Sequence, residues 1–256
     1  MPSDVAFPIP LLLGFLLTLV RVSGVFVFVP IPGISSALSP ARVILSIGTT
    51  LALFAQWPRP ATDPSAVSFV TWILMEAALG VGTGLAVAFA VEAFGIGTQI
   101  LGLQAGFAFA STVDPNTQAD STVLVVLSQV ATGLLFFAMG LDREVLRILA
   151  RSLETYPAGS FTLSRAAGEQ MLRAGATMFS TGLRLAMPLI AILVMLDIAL
   201  ALLGRVNGQL QLLHLSFPLK MMVAMGMLGL LVTMLPELLR LTAAETFAAA
   251  RGLIAH

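Results

Sequence analysis

The sequence has 256 residues, of which 58% are hydrophobic and 10% are charged, and its formal net charge is zero. Soluble domains carry about 25% charged residues, so a chain with a mean hydropathy of +0.99 cannot cover its surface with polar groups. These values indicate an integral membrane protein, give no support for a nucleic-acid partner, and, with no cysteine present, exclude disulfides and thiolate metal sites.

The first apolar run extends from Phe7 to Pro30, which is long enough to cross a bilayer, since a crossing takes about 20 residues. Arg21 interrupts this run. A charge at membrane depth is costly unless it pairs with an opposite charge or faces a polar interior. We therefore expect Arg21 to pair with Glu76 or Glu92, and we favour this structural role over a role in transport.

The second run, Val43 to Trp57, is short for a membrane span, and Trp57 suits the membrane interface. The third run, Phe69 to Phe94, contains a stripe of glycines and the two carboxylates Glu76 and Glu92. Each carboxylate has two interpretations, as the partner of a buried arginine or as a proton or ion site. The partner interpretation is favoured for Glu76.

The stretch from Gly95 to Thr122 is apolar and glycine-spaced in its first half and ends in a polar turn. An interior glycine costs a helix about 1 kcal/mol relative to alanine, so the first half is predicted to be a helix or broken helix pressed against other backbones. The second half is either a plug for a channel or a turn that joins two helices. The candidate plug residues are Gly106, Phe107, Phe109, Val113, Asp114, Pro115 and Asn116.

The second half of the chain is predicted to contain three more elements that cross the membrane. Val123 to Leu141 is an uncharged span, and the charged segment Asp142 to Leu172 has the spacing of an amphipathic helix at the aqueous boundary. The fifth run begins at Thr181, and the sixth extends from Met221 to Leu235. Further candidates for intramembrane charge pairs are Arg184, Asp197 and Arg205.

No stretch shows sustained alternation with a period of two residues, which predicts an all-α fold. We expect a polytopic membrane protein with about six hydrophobic helical runs, forming a single helical membrane domain over residues 1–256. Counting arginines and lysines in the loops places both termini in the cytoplasm by the positive-inside rule.

Several segments are similar to one known family. Gly102-Leu103-Gln104-Ala105-Gly106-Phe107, followed by Val113-Asp114-Pro115, resembles the central signature of the FliR/SctT family of inner-membrane components of the flagellar and virulence type III export gate. Further similar segments are Val20 to Phe26, Gly182 to Pro188 and Phe217 to Lys220. The chain departs from the family near Gly140, where a Gly-His pair is usual and the sequence reads Gly140-Leu141-Asp142-Arg143.

The resemblance implies an architecture with kinked helix pairs, in which a FliP-like part is fused to a FliQ-like part. It implies FliP-type and FliQ-type membrane subunits, further export-gate subunits, exported unfolded proteins and membrane lipid as partners. It also implies a place in the bacterial inner (plasma) membrane, at the flagellar basal body or the injectisome base, with a plug in the central stretch. No cofactor is implied, and flagellar use is favoured over virulence use.

The sequence contains no phosphate-binding loop, no His-Glu-x-x-His helix and no Gly-x-Ser-x-Gly elbow, so an enzyme is not expected. Two non-enzymatic functions remain, a structural and channel-forming subunit of a protein export gate, and an ion-coupled secondary transporter that uses Glu76, Glu92 or Asp197. A transporter often contains inverted repeats, and no convincing internal repeat is visible. The resemblance favours the export gate.

Overall fold

The computed structural model of the chain describes residues 9–31, 39–58, 64–107, 123–157, 159–162, 164–206 and 212–254. This part of the chain is helical and contains no strand, which confirms the all-α prediction. The helices are α1 (Ile9–Phe28), α2 (Pro40–Ala52), α3 (Ala66–Ala105), α4 (Val123–Ala138), α5 (Leu141–Thr155), α6 (Arg165–Val206) and α7 (Leu212–Ile254), with a short 3-10 turn at Phe54–Gln56.

Within the described ranges, four helices are long and apolar enough to cross a membrane, namely α1, α3, α6 and α7. Helices α4 and α5 are bent by 66° relative to each other, and together they count as one further broken span. Helix α2 is apolar but too short to cross. The polytopic membrane class is therefore confirmed, and the six apolar runs of the sequence correspond to four spans, or to five with the bent pair.

Several helices extend beyond the apolar runs that predicted them. Helix α3 continues to Ala105 and has 40 residues, which is a length of about 60 Å at 1.5 Å per residue. Helix α6 begins at Arg165 rather than at Thr181, and the charged segment Asp142 to Leu172 is interrupted between α5 and α6. Hydropathy indicates which residues lie in an apolar environment. It does not locate the ends of a helix, because a helix can continue into polar sequence as long as its backbone hydrogen bonds are formed.

The described helices divide into two compact units. Unit 1 comprises Met1–Phe89, Phe136–Gly175 and Ala243–His256, and unit 2 comprises Ala90–Leu135 and Ala176–Thr242. The boundaries between the units fall within α3, α4, α6 and α7. The single domain expected over residues 1–256 stays a prediction.

In unit 1, the backbones of α1 and α3 approach closely at two glycines. A Cβ atom on Gly80 would lie 3.0 Å from the Cα of Arg21, and a Cβ on Gly24 would lie 2.9 Å from the backbone nitrogen of Val81. Small residues allow helices to pack at such short distances. This contact fixes Arg21 against α3.

In unit 2, α3 packs against α6 in the same way. A Cβ on Gly182 would lie 2.7 Å from the carbonyl oxygen of Ala93. Helix α4 is joined to α3 by a 2.9 Å hydrogen bond between the buried hydroxyls of Thr98 and Ser128. Close backbone contact thus explains the glycine that opens the segment Gly182 to Pro188.

Candidate functional site

A buried ion pair joins α1 to α3 in unit 1. Arg21 Nε donates to Glu76 Oε2 at 2.5 Å, and Arg21 Nη2 donates to Glu76 Oε1 at 2.9 Å. Both residues are 0% exposed. A two-pronged arginine–carboxylate contact combines charge attraction with a fixed geometry, which is the arrangement expected of a stable buried pair.

The remaining donors of Arg21 reach α5 and the turn that follows it. Nη1 donates to the carbonyl oxygen of Ser152 at 2.7 Å and to its Oγ at 3.3 Å, and Nη2 donates to the carbonyl oxygen of Tyr156 at 2.9 Å. A guanidinium has five N–H donors, and five hydrogen bonds are formed. The charge is therefore fully satisfied without water.

The carboxylate of Glu76 has a third donor, because Oε1 also accepts a hydrogen bond from the backbone N–H of Gly159 at 3.0 Å. Gly159 has a φ of +86°, and a Cβ at this position would lie 2.7 Å from the Cδ2 of Trp72. Only glycine fits both requirements without strain. We call Arg21, Glu76, Ser152, Tyr156 and Gly159 the Arg21 cluster.

The Arg21 cluster ties three helices and one turn together. Of the two carboxylates expected to pair with Arg21, Glu76 does so, while Glu92 is exposed and forms no ion pair within the described part of the chain. Ser152 and Tyr156 were not predicted, because their shorter contacts to Arg21 are made by backbone carbonyls, which carry no residue-specific signal. The sequence signal for this turn is the proline and the glycine at positions 157 and 159.

A second ion pair joins α6 to α7 in unit 2. Lys220 Nζ lies 2.5 Å from Asp197 Oδ1, and the side chains are 15% and 37% exposed, respectively. Asp197 was expected to take part in a charge pair, but Lys220 was not among the candidates. Arg184 and Arg205 are exposed, and neither forms an ion pair with another described residue.

Helix α3 ends in a glycine turn at the candidate plug. Gly106 has a φ of +87°, its N–H donates to the carbonyl of Leu103 at 3.1 Å, and the N–H of Phe107 donates to the carbonyl of Gly102 at 3.0 Å. This pair of bonds is the Schellman motif, in which a left-handed glycine ends a helix. The glycine pair at 102 and 106 therefore marks where α3 stops.

The space at Gly106 is also restricted. A Cβ on this residue would lie 2.9 Å from the Cδ1 of Phe217 in α7. The remaining plug candidates, Phe109, Val113, Asp114, Pro115 and Asn116, lie outside the described residues. The structure thus places the start of the candidate plug at the end of a long helix in unit 2.

Arg42 is a buried residue that the sequence interpretation missed. Its Nη1 donates to the carbonyl oxygens of Val27 at 2.8 Å and Val29 at 2.9 Å, and to that of Phe26. These carbonyls lie at and just beyond the C-terminal end of α1, where helix carbonyls lack intrahelical donors and favour a positive charge. Burial lowers the pKa of the Arg42 guanidinium from its usual value. The signal in the sequence was an arginine in the first turn of a helix that begins with proline.

Comparison with known proteins assigns the family. Residues 12–245 match the model of the family described as bacterial export proteins, family 1. The flagellar biosynthetic protein FliR of Escherichia coli (strain K12) is 31% identical over 206 residues, which cover 80% of this chain and 79% of that protein. The protein of the same name from Pectobacterium carotovorum subsp. carotovorum is 30% identical over 208 residues, 80% of each chain. That of Bacillus subtilis (strain 168) is 23% identical over 246 residues, 94% of this chain and 95% of its own length. Because the match extends over most of the sequence, the chain belongs to the bacterial export proteins, family 1.

Proposed function

We propose that the chain is a non-enzymatic membrane subunit of the flagellar type III export gate and helps to form the entry pore for unfolded proteins. The observation that carries this proposal is the family match over residues 12–245 together with relatives named as flagellar biosynthetic proteins. The long apolar helices support a place in the bacterial inner membrane.

The ion pairs favour a scaffolding role over ion-coupled transport. A transporter site needs a carboxylate that can exchange its ion or proton. Glu76 is held by two donors of Arg21 and by the N–H of Gly159, and Asp197 is held by Lys220. Glu92 is the remaining candidate among the carboxylates proposed as ion sites, and one exposed carboxylate gives little support to a transport cycle.

The proposed partners are FliP-type and FliQ-type membrane subunits, further export-gate subunits, exported unfolded proteins and membrane lipid. Large apolar side chains are exposed along α6 and α7, for example Met195 and Leu202 on α6 and Met222 and Leu230 on α7. Such surfaces must be covered by lipid or by other apolar helices in a membrane.

We further propose that the segment that follows Gly106 closes the pore in the resting state. Helix α3 ends at the Gly106 turn, the next described helix begins at Val123, and residues 108–122 lie between them in the sequence. Phe107 and Phe109 provide bulk that can fill an opening, and Asp114-Pro115-Asn116 favours a turn.

A gene deletion tests the export proposal. Cells without the chain should assemble no flagellar filament and export no flagellar protein, and expression of the chain should restore both. Normal filaments in the deletion strain would contradict the proposal. Ion-coupled transport by the purified chain alone in liposomes would instead support the transporter.

A further inference from the structure

The end of α3 in unit 2 lies against an aromatic ring of α7. A left-handed turn at Gly106 ends α3, and a Cβ on this glycine would lie 2.9 Å from Cδ1 and 3.1 Å from Cε1 of Phe217. The backbone conformation by itself already favours glycine. The ring adds a second requirement, because it occupies the space into which another side chain would extend. Phe217 therefore packs directly against the turn.

Pro218 weakens the attachment of Phe217 to the rest of α7. Proline has no N–H, so α7 lacks at this position the hydrogen bond that a helical N–H donates to the carbonyl four residues earlier. Helix α7 begins at Leu212, which places Phe217 in the short stretch between the start of the helix and this proline. Contacts with other helices must therefore help to fix the position of the ring.

An ion pair holds α7 just beyond the proline. Lys220 Nζ lies 2.5 Å from Asp197 Oδ1 on α6. Lys220 follows Phe217 by three residues, so the two side chains lie on the same side of α7. The ion pair therefore restrains the rotation of α7 and, with it, the direction in which the ring points. Gly106 belongs to unit 2, as do these three residues, so the contacts lie within one compact part of the molecule.

We propose that Phe217 is a positioning residue that holds the end of α3 in place, and that the Asp197–Lys220 pair keeps the ring on the Gly106 turn. We call Asp197, Phe217 and Lys220 the Phe217 latch. This inference rests on the proposed function, because the turn begins the segment proposed to close the pore. Opening the ion pair lets the ring leave the turn, and the backbone at Gly106 and Phe107 is then released.

The exposure of Phe217 suits a contact that can open. Its side chain is 38% exposed, whereas Leu101 and Ala105 in the last turns of α3 are 0% exposed. A close-packed interior leaves a side chain no room to move, but a ring with an exposed side has such room. The buried residues keep α3 itself in place. Release of the latch should therefore be confined to the Gly106 turn and the residues that follow it.

The first test measures the accessibility of the turn with the full chain in its own membranes. The sequence contains no cysteine, so Phe107→Cys introduces a single thiol beside the turn. In this background Phe217→Ala should raise the rate of maleimide labelling about tenfold, because the turn opens more often. The matched control is Met222→Ala, which shortens a side chain of α7 that is 73% exposed. An unchanged rate in Phe217→Ala, or an equal rise in the control, would overturn the inference.

The second test separates the latch from simple shielding of the thiol by the ring. Lys220→Met leaves the ring present, so shielding alone predicts no change, whereas the latch predicts faster labelling at position 107. Combining Asp197→Lys with Lys220→Asp restores a pair of opposite charges and should return the rate toward its original value. Arg205→Met removes another cation near this end of the two helices and should have no effect. No rise in Lys220→Met, or no recovery in the exchanged pair, would overturn the role of the ion pair.

The third test connects the latch to the pore. In cells that carry the chain without the cysteine, Lys220→Met should leave the complex assembled but raise membrane permeability to small solutes, and the exchanged pair should abolish the leak. A leak in a deletion of residues 108–116 but not in Lys220→Met would overturn the latch and uphold the closure of the pore. Faster labelling in Lys220→Met without a leak in either variant would uphold the latch contact and contradict the closure of the pore by this segment.

Discussion

The two ion pairs that join different helices in the described part of the chain have different surroundings. Arg21 and Glu76 are completely buried, and every N–H of the guanidinium has an acceptor. Asp197 and Lys220 remain partly exposed, and one contact of 2.5 Å joins them. The first pair connects helices inside the chain and has no donor left for another molecule, whereas the side chains of the second pair are accessible to other molecules. A charge in an apolar run therefore indicates that the residue has a partner, but it does not distinguish a structural ion pair from a functional one.

The largest effect is expected when one member of the buried pair is removed. Arg21→Met or Glu76→Leu should each cost about 3–5 kcal/mol, because each leaves an uncompensated buried charge. The chain should then fail to accumulate in membranes, as measured by immunoblotting. The double variant should cost less than the sum of the two, since residues of one network are not additive. Normal accumulation of both single variants would contradict the structural role of the Arg21–Glu76 pair.

A smaller effect is expected when the turn that supports Glu76 is altered. Gly159→Ala should destabilise the chain by about 1–3 kcal/mol, because alanine is strained at a φ of +86° and its Cβ collides with Trp72. For a chain of this size, each kcal/mol shifts the melting temperature by about 2–4 °C. Thermal melting of the purified chain in detergent measures the shift.

The matched control for this turn is Gly168→Ala in α6. There a Cβ meets no described atom within 4 Å, and replacing an interior helix glycine by alanine should stabilise by about 0.5–1 kcal/mol. The two substitutions should therefore shift the melting temperature in opposite directions. Equal shifts would show that the Gly159 turn does not support the cluster.

The smallest effect on stability is expected at the partly exposed pair of Asp197 and Lys220. Lys220→Met should destabilise the purified chain less than Arg21→Met does, because Asp197 is 37% exposed and one contact joins it to Lys220, whereas Arg21 forms five hydrogen bonds. Thermal melting of the purified chain measures the effect on stability, and export of flagellar protein in cells measures whether the pair is needed for function. A loss of stability as large as that of Arg21→Met would remove the distinction between the two pairs.

The Arg21–Glu76 pair was predictable because few carboxylates lie in the apolar runs and a buried arginine needs one of them. The pairing of Asp197 with Lys220 was not predictable from the sequence. It depends on how α6 packs against α7, and the spacing of residues along the chain carries no information on this packing. The buried polar side of α2, formed by Arg42, Ser46 and Thr50, was also not predicted. The second run was interpreted from its length alone, without asking which side of the helix is polar.

The central stretch was predicted in part. The sequence indicated a helix pressed against other backbones up to the glycines, and α3 does extend to Ala105. The function of the glycine at 106 differs from close packing alone, since its left-handed backbone ends the helix. A glycine after a long apolar helix is a general signal for a C-terminal cap, and here it was obscured by the Gly-x-x-x-Gly spacing.

The most direct test of the central claim, that the helices form a scaffold and the segment after α3 closes the pore, is a deletion of residues 108–116 that keeps Gly106 and Phe107. Membrane permeability to small solutes is measured in cells, and assembly is measured by copurification of the other gate subunits. We expect an assembled complex and a membrane that leaks small solutes. An assembled complex with unchanged permeability would show that this segment does not close the pore.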